Sequence, residues 1–194
     1  MSMKKIFMLI ASAFLLANVS AANVEKIQFA NAGDFALGLM VGTPSSYRNC
    51  VDSRAKMPFI SVDAMWGLKD GFCHTNKFGD NGAVDLGAYL GFCYFGDHDF
   101  HDWRLPIAVR SGFNWEFVKN LDVYSGFQAG ATIFHNSYED FGIKVSDGGA
   151  EGIFGMYLGA KWMFSDSFGV KAEFSEDWIG WSLPWFAAGV QFKF

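Results

Sequence analysis

Past residue 22 this chain has no apolar run near the ~18 residues that a membrane-spanning helix needs, so helical membrane proteins are excluded. Positive charge is also short. The sequence has 15 Lys+Arg against 20 Asp+Glu, and without Lys4 and Lys5 the basic count falls to 13, a net of −7. That balance argues against nucleic acid as a partner. No G-x-S-x-G nucleophile elbow occurs, and the 3 cysteines stand far apart at Cys50, Cys73 and Cys93.

The start, "MSMKKIFMLIASAFLLANVSAAN", has two lysines, an apolar run from Ile6 to Ala17, then small residues that suit cleavage. This is the layout of a secretory signal peptide, expected to span 1–22. The remainder, 23–194, is expected to form one exported domain. It is rich in what a soluble domain uses sparingly: 51% of the chain is hydrophobic, 18% is aromatic and 22 residues are glycine. Without a long apolar run, that grease must be distributed some other way.

Period-two alternation distributes it. In "GDFALGLMVGT" Phe35, Leu37, Leu39 and Val41 alternate with Ala36, Gly38, Met40 and Gly42. "AVDLGAYLGF", "IAVRSGFNWE", "VYSGFQAGATI" and "FGMYLGAKWMF" repeat the pattern, and the chain closes on "WFAAGVQFKF" in the same register. Strands are predicted near 34–43, 57–67, 83–94, 104–117, 121–134, 152–164, 168–176 and 184–194. Eight strands suit an antiparallel up-and-down sheet closed into a barrel. An eight-stranded barrel has room inside only for its own smaller side chains, so the bulky apolar face must point outward, into lipid.

Two further readings agree. Strands of about ten residues cross a bilayer at a ~45° tilt. If the first strand runs outward from the periplasm, two aromatic girdles form. Trp66, Trp115, Phe117, Trp162, Phe164, Phe168, Phe192 and Phe194 fall at the periplasmic ends. Phe92, Trp103, Phe134, Phe154, Phe174, Trp185 and Phe186 fall at the exterior ends. Loops near 43–57, 95–103 and 135–151 are then exterior and long, while 68–82 is long for a periplasmic turn.

The signal peptide, the eight alternating strands and the terminal "GVQFKF" resemble the small outer-membrane β-barrels of Gram-negative bacteria, the OmpA/OmpX-like, porin-like class. The resemblance implies an eight-stranded transmembrane β-barrel in the cell outer membrane, monomeric. Its expected partners are outer-membrane lipids, lipopolysaccharide and the barrel-assembly machinery. It also implies that Phe194, with Phe192, Val190 and Phe186, forms the barrel-insertion signal.

The inward set contains Asp63, Asp85, Arg110, Glu116, Lys161, Lys171, Glu173 and Lys193. Charges in a narrow barrel must pair, so a salt-bridged, filled lumen is the reading taken, with a narrow porin as its alternative. Inward glycines beside Tyr89, Tyr124 and Tyr157 leave room for the rings. "GDHDFHDW" offers Asp97, His98, Asp99, His101 and Asp102, the right ligand types for a divalent ion, but reads more simply as a solvated loop. His135, Ser137, Glu139 and Asp140 crowd one loop, and a lipid-modifying enzyme there is the remote alternative. No enzyme, metal or cofactor is expected. Export permits a Cys50–Cys93 disulfide. Trp178, Ile179 and Trp181 are expected in the last exterior loop, extending the upper girdle or touching lipopolysaccharide.

Overall fold

A helix repeats its faces every 3.6 residues and would scatter the alternating large residues, whereas a strand collects them on one side. The computed structural model describes residues 31–43, 57–72, 82–96, 100–118, 120–140, 142–180 and 183–194. The leader 1–22, Cys50, Cys73, Asp97, His98, Asp99 and Trp181 lie outside the described residues.

Eight strands form: β1 (Phe35–Gly42), β2 (Phe59–Phe72), β3 (Gly82–Gly96), β4 (Phe100–Val118), β5 (Leu121–Asp140), β6 (Ile143–Met163), β7 (Phe168–Ile179) and β8 (Phe186–Lys193). Each pairs antiparallel with the next, and β1 pairs with β8, so the sheet closes into a barrel. At the seam the Phe194 N–H donates to the Phe35 carbonyl at 2.8 Å. No edge remains along the barrel wall, as a sheet in lipid requires.

The two faces sort by chemistry. Leu39, Val41, Ile60, Trp66, Leu86, Leu90, Ile107, Val109, Phe127 and Ile133 point out, each at least 41% exposed. The seven charged residues from Asp63 to Glu173 named above point in, none above 7% exposed. An apolar belt this continuous is untenable in water and ordinary in a bilayer. The chain is an all-β, eight-stranded, up-and-down transmembrane barrel.

Three expectations need correction. The stretch 95–103 is not a long loop, because β3 runs to Gly96 and β4 starts at Phe100. Nor is 135–151 a loop: β5 and β6 continue through it, paired without interruption from Ile133↔Ala150 to Asp140↔Ile143. Outside the membrane both faces of a ribbon meet water, so the alternation that marks a strand disappears there. At the opposite end β2 extends to Phe72, which shortens the connection that had looked long for a turn.

Candidate functional site: the barrel interior and its rim

β4 samples the whole interior, since its even-numbered residues face in: Asp102, Arg104, Pro106, Ala108, Arg110, Gly112, Asn114 and Glu116. Read in that order they run from the ribbon end to the end holding the termini. The chemistry changes twice on the way, from charged to apolar and back to charged.

The terminal half is a polar network built on two ion pairs. Lys171 Nζ donates to both Asp63 oxygens, at 2.6 and 2.7 Å. Arg110 Nη1 donates to Glu173 Oε2 at 3.2 Å, Nη2 donates to Glu173 Oε1, and Nε donates to Gln128 at 3.0 Å. The guanidinium is clamped between rings, 4.0 Å from the Tyr157 centroid and 4.5 Å from that of Tyr89. Cation–π contact of this kind strengthens where water is excluded. The Tyr124 hydroxyl donates to Glu173 at 3.2 Å, and the Asn114 amide donates to Asp85 at 2.8 Å. Nearer the terminal mouth Lys161 stands 3.7 Å from Asp122, and Lys193 is 2.7 Å from Asp34.

Glycine makes this packing fit. A Cβ on Gly159 would sit 2.4 Å from Tyr124 Cζ, and one on Gly126 would sit 2.6 Å from the Tyr157 hydroxyl. Each phenol tip therefore rests against a bare stretch of the neighbouring strand. What remains open among Asp63, Asp85, Tyr124, Tyr157 and Lys171 is a cavity of about 30 Å³, room for about two waters.

The ribbon half of the interior is apolar, contrary to a uniformly polar lumen. Met40, Phe59, Tyr89, Cys93, Phe95, Ala108, Ile153, Leu183 and Ala187 form one buried cluster. Phe59 lies over Gly91, whose Cβ would come 2.4 Å from its ring, and Leu183 turns in from the last turn, its N–H donating to Asp177 at 3.0 Å. Above this septum Arg104 reaches Asp102 and Glu151, each at 3.3 Å, and Asn136, once its amide is turned to present nitrogen to that carboxylate, donates to Asp102 at 2.9 Å.

Other expected residues fall as follows. On β8, Phe186, Val190 and Phe192 face outward, and the last residue, Phe194, is 76% exposed, its ring 6.2 Å from that of Phe35. Phe134 leaves the expected outer girdle. It shares its face with Thr132, and Arg104 lies 5.8 Å above its ring. Cys93 is a buried free thiol on the inward face. His101 and Asp102, adjacent on β4, point to opposite sides. His101 meets the Tyr94 hydroxyl at 2.5 Å while Asp102 holds Arg104, so the two do not share one ion. Among the described residues no His/Cys/Asp/Glu group could hold a metal.

His135, Ser137 and Glu139 do share the outward face of β5, but His135 stacks on Trp103 at 6.1 Å rather than meeting Ser137. Trp178 and Ile179 belong to β7, not to a loop, and Trp178 packs 5.3 Å from Phe154 on the apolar wall. Beyond the inward charged set, Asp102, which the sequence offered only as an ion ligand in a loop, and Arg104, Asn114, Asp122, Gln128 and Gln191 are also buried polar residues. All share the parity of the inward residues already recognised, which is the signal that would have found them.

No protein-family model matches the chain, and no curated relative matches it. Among solved structures it is similar to Ail, the attachment invasion locus protein of Yersinia pestis: 11% identity and a TM-score of 0.52, over 84% of this chain and 99% of that one. The same protein in complex with the heparin analogue sucrose octasulfate aligns at 11% identity and a TM-score of 0.50, over the same shares of both chains. The N-terminal β-barrel domain of Pseudomonas aeruginosa OprF aligns at 14% identity and a TM-score of 0.46, over 84% of this chain and 98% of that one. At these identities the likeness is one of fold. The chain resembles the small eight-stranded outer-membrane barrels of Gram-negative bacteria.

Proposed function

We propose that the chain is an integral outer-membrane protein with a structural or surface-interaction role, whose lumen is filled and does not conduct. The observation that carries this is the layering of the interior. An apolar septum around Phe59, Phe95 and Leu183 sits on a charge-paired network around Arg110. An ion entering from either mouth would have to shed its water against the septum, and desolvation of that kind costs several kcal/mol or more.

In this reading Met1–Ala22 is removed on export, the termini face the periplasm and the β5–β6 ribbon stands outside. The outward row Phe186, Val190, Phe192 and Phe194 is read by the barrel-assembly machinery. The girdles rest in lipid and lipopolysaccharide, and the barrel works as a monomer without enzymatic turnover. The exposed ribbon carries Glu139 and Asp147 against Lys144, an acid surplus that does not favour a polyanion such as the sulfated sugar bound to Ail.

The test is planar-bilayer recording on the purified barrel, alongside membrane fractionation and heat-dependent gel migration. A silent barrel in the membrane fraction is expected. Steady single-channel steps would overturn the filled lumen in favour of a narrow porin, and recovery as a soluble monomer without detergent would overturn the membrane assignment.

A further inference from the structure

Four acids in the terminal half of the interior have a base each: Asp34 has Lys193, Asp63 has Lys171, Glu173 has Arg110 and Asp122 has Lys161. Glu116, near the end of β4, accepts the Asn120 N–H at 2.9 Å. Asp85 differs from all of these. It is 6% exposed, and among the described residues no basic side chain comes within ion-pair distance of it. Its Oδ2 accepts from the Asn114 amide, while Oδ1 has no partner. A carboxylate buried without a counter-charge is costly, so the fold should supply one.

The sheet register shows where Oδ1 points. Asp85, Gly112, Gly126 and Tyr157 form one row of cross-strand partners across β3, β4, β5 and β6. The two middle positions carry no side chain, so the end groups lean over them toward each other. A Cβ on Gly112 would lie 2.1 Å from Asp85 Oδ1 and 3.0 Å from the Tyr157 hydroxyl. That hydroxyl, on a residue 2% exposed, also has no partner. Arg110 lies over the Tyr157 ring, but its charge is met by Glu173. Asp85, Asn114 and Tyr157 all line the cavity of about 30 Å³, which reaches Asp34 at the terminal mouth.

We infer that this row binds one monovalent cation of sodium or potassium size, held between Asp85 Oδ1 and the Tyr157 hydroxyl oxygen, with Asn114 fixing the carboxylate. The inference rests on the filled-lumen reading and deepens it. A cation reaches Asp85 from the terminal mouth, and the septum around Phe59 stops it there. One unpaired carboxylate calls for one positive charge. Calcium takes about six to eight oxygens, several of them from carboxylates, and transition metals favour imidazole or thiolate. The row supplies neither set. A proton on Asp85 would cancel the charge, but its two end oxygens are not hydrogen-bonded to each other, so the gap needs something larger. A water would bridge the gap and leave the charge. A small cation does both.

The test follows reversible urea unfolding of the purified barrel in phosphatidylcholine vesicles, whose headgroups carry no net charge. Sodium chloride replaces tetramethylammonium chloride at constant ionic strength, the larger ion being too bulky for the cavity. Raising sodium from about 10 mM to about 500 mM should increase the folding constant at least about fivefold. Asp85→Asn, which keeps the shape, should abolish the response. Tyr157→Phe should reduce it at least about threefold while leaving a ring beside Arg110. Sodium NMR line broadening reads the same binding on the folded, unaltered barrel, so a variant that fails to fold does not shelter the proposal. An unaltered barrel that neither broadens the sodium line nor responds to sodium overturns it. A response that survives in Asp85→Asn overturns it in favour of ions held elsewhere on the barrel. Stability that follows pH but not sodium overturns it in favour of a proton on Asp85. Conductance is read separately: a silent barrel without a sodium response sinks the cation site alone, and steady channel steps with a sodium response sink the filled lumen alone.

Discussion

Removing Arg110 while leaving Glu173 is the perturbation that weighs the interior most directly. Arg110→Met keeps the length of the side chain and deletes a guanidinium that is 1% exposed. Glu173 then loses both bonds from Arg110 and keeps two donors, the Tyr124 hydroxyl at 3.2 Å and the Ser175 hydroxyl at 3.1 Å. Breaking a buried pair from one side costs about 3–5 kcal/mol. Loss of the contacts with Tyr89 and Tyr157 adds about 1 kcal/mol. The surviving donors to Glu173 offset part of this, so a net loss of about 3 kcal/mol is expected, roughly two decades in the unfolding constant. The double variant Arg110→Met with Glu173→Met removes both charges and fills the same space, so its stability should return to within about 1 kcal/mol of the original. Reversible urea unfolding of the barrel in lipid vesicles, followed by tryptophan fluorescence and gel mobility, measures all three proteins. A single variant that costs under about 1 kcal/mol, or a double variant as unstable as the two singles added, would refute the coupling.

Gly159→Ala should destabilise by about 1–3 kcal/mol, because its Cβ would meet Tyr124 at 2.4 Å and the Ala172 carbonyl at 2.6 Å. Gly152→Ala, with nothing within 4 Å, should change stability by less than about 0.5 kcal/mol in the same denaturation assay. Val109, 59% exposed on the apolar wall, tests the surroundings of the barrel: Val109→Lys should cost about 2–4 kcal/mol in bilayers, and a cost near zero would place that face in water. Asp34 sits at the terminal mouth, where its Oδ2 accepts from Lys193 at 2.7 Å and from the Asn31 backbone and side chain, both at 2.9 Å. Burial works against its ionisation, but Lys193 and Asn31 outweigh that and hold the carboxyl below its ordinary range. Its contribution is therefore complete above the unfolded value of about 3.9 and is lost as pH falls through the lower folded value. Asp34→Asn should cost about 1 kcal/mol near neutrality, and the gap should close in titrated unfolding below about pH 4.

Side and partner were not equally legible. Which side a residue faces follows from parity alone, and parity within a strand is local. Asp63 and Lys171 were assignable to the interior because Val62 and Val170 beside them had to face lipid. The same parity carries Phe59, Phe95 and Met40 inward, yet these resist the simple rule that a narrow barrel excludes large apolar residues. They fit because glycine stands opposite, as Gly91 does to Phe59, and that compensation lies on another strand. The partner of each charge depends on the stagger between strands, which no single strand records. Arg110 meets Glu173 63 residues away, and Lys171 meets Asp63 across 108. The irregularities between Gly67 and Phe72, Glu116 and Val118, and Phe154 and Gly155 help set that stagger. The ribbon was invisible for a related reason. Alternation is written by a boundary between oil and water, and beyond the membrane β5 and β6 have water on both sides. The pattern that revealed the barrel is thus confined to the part of the chain that oil surrounds.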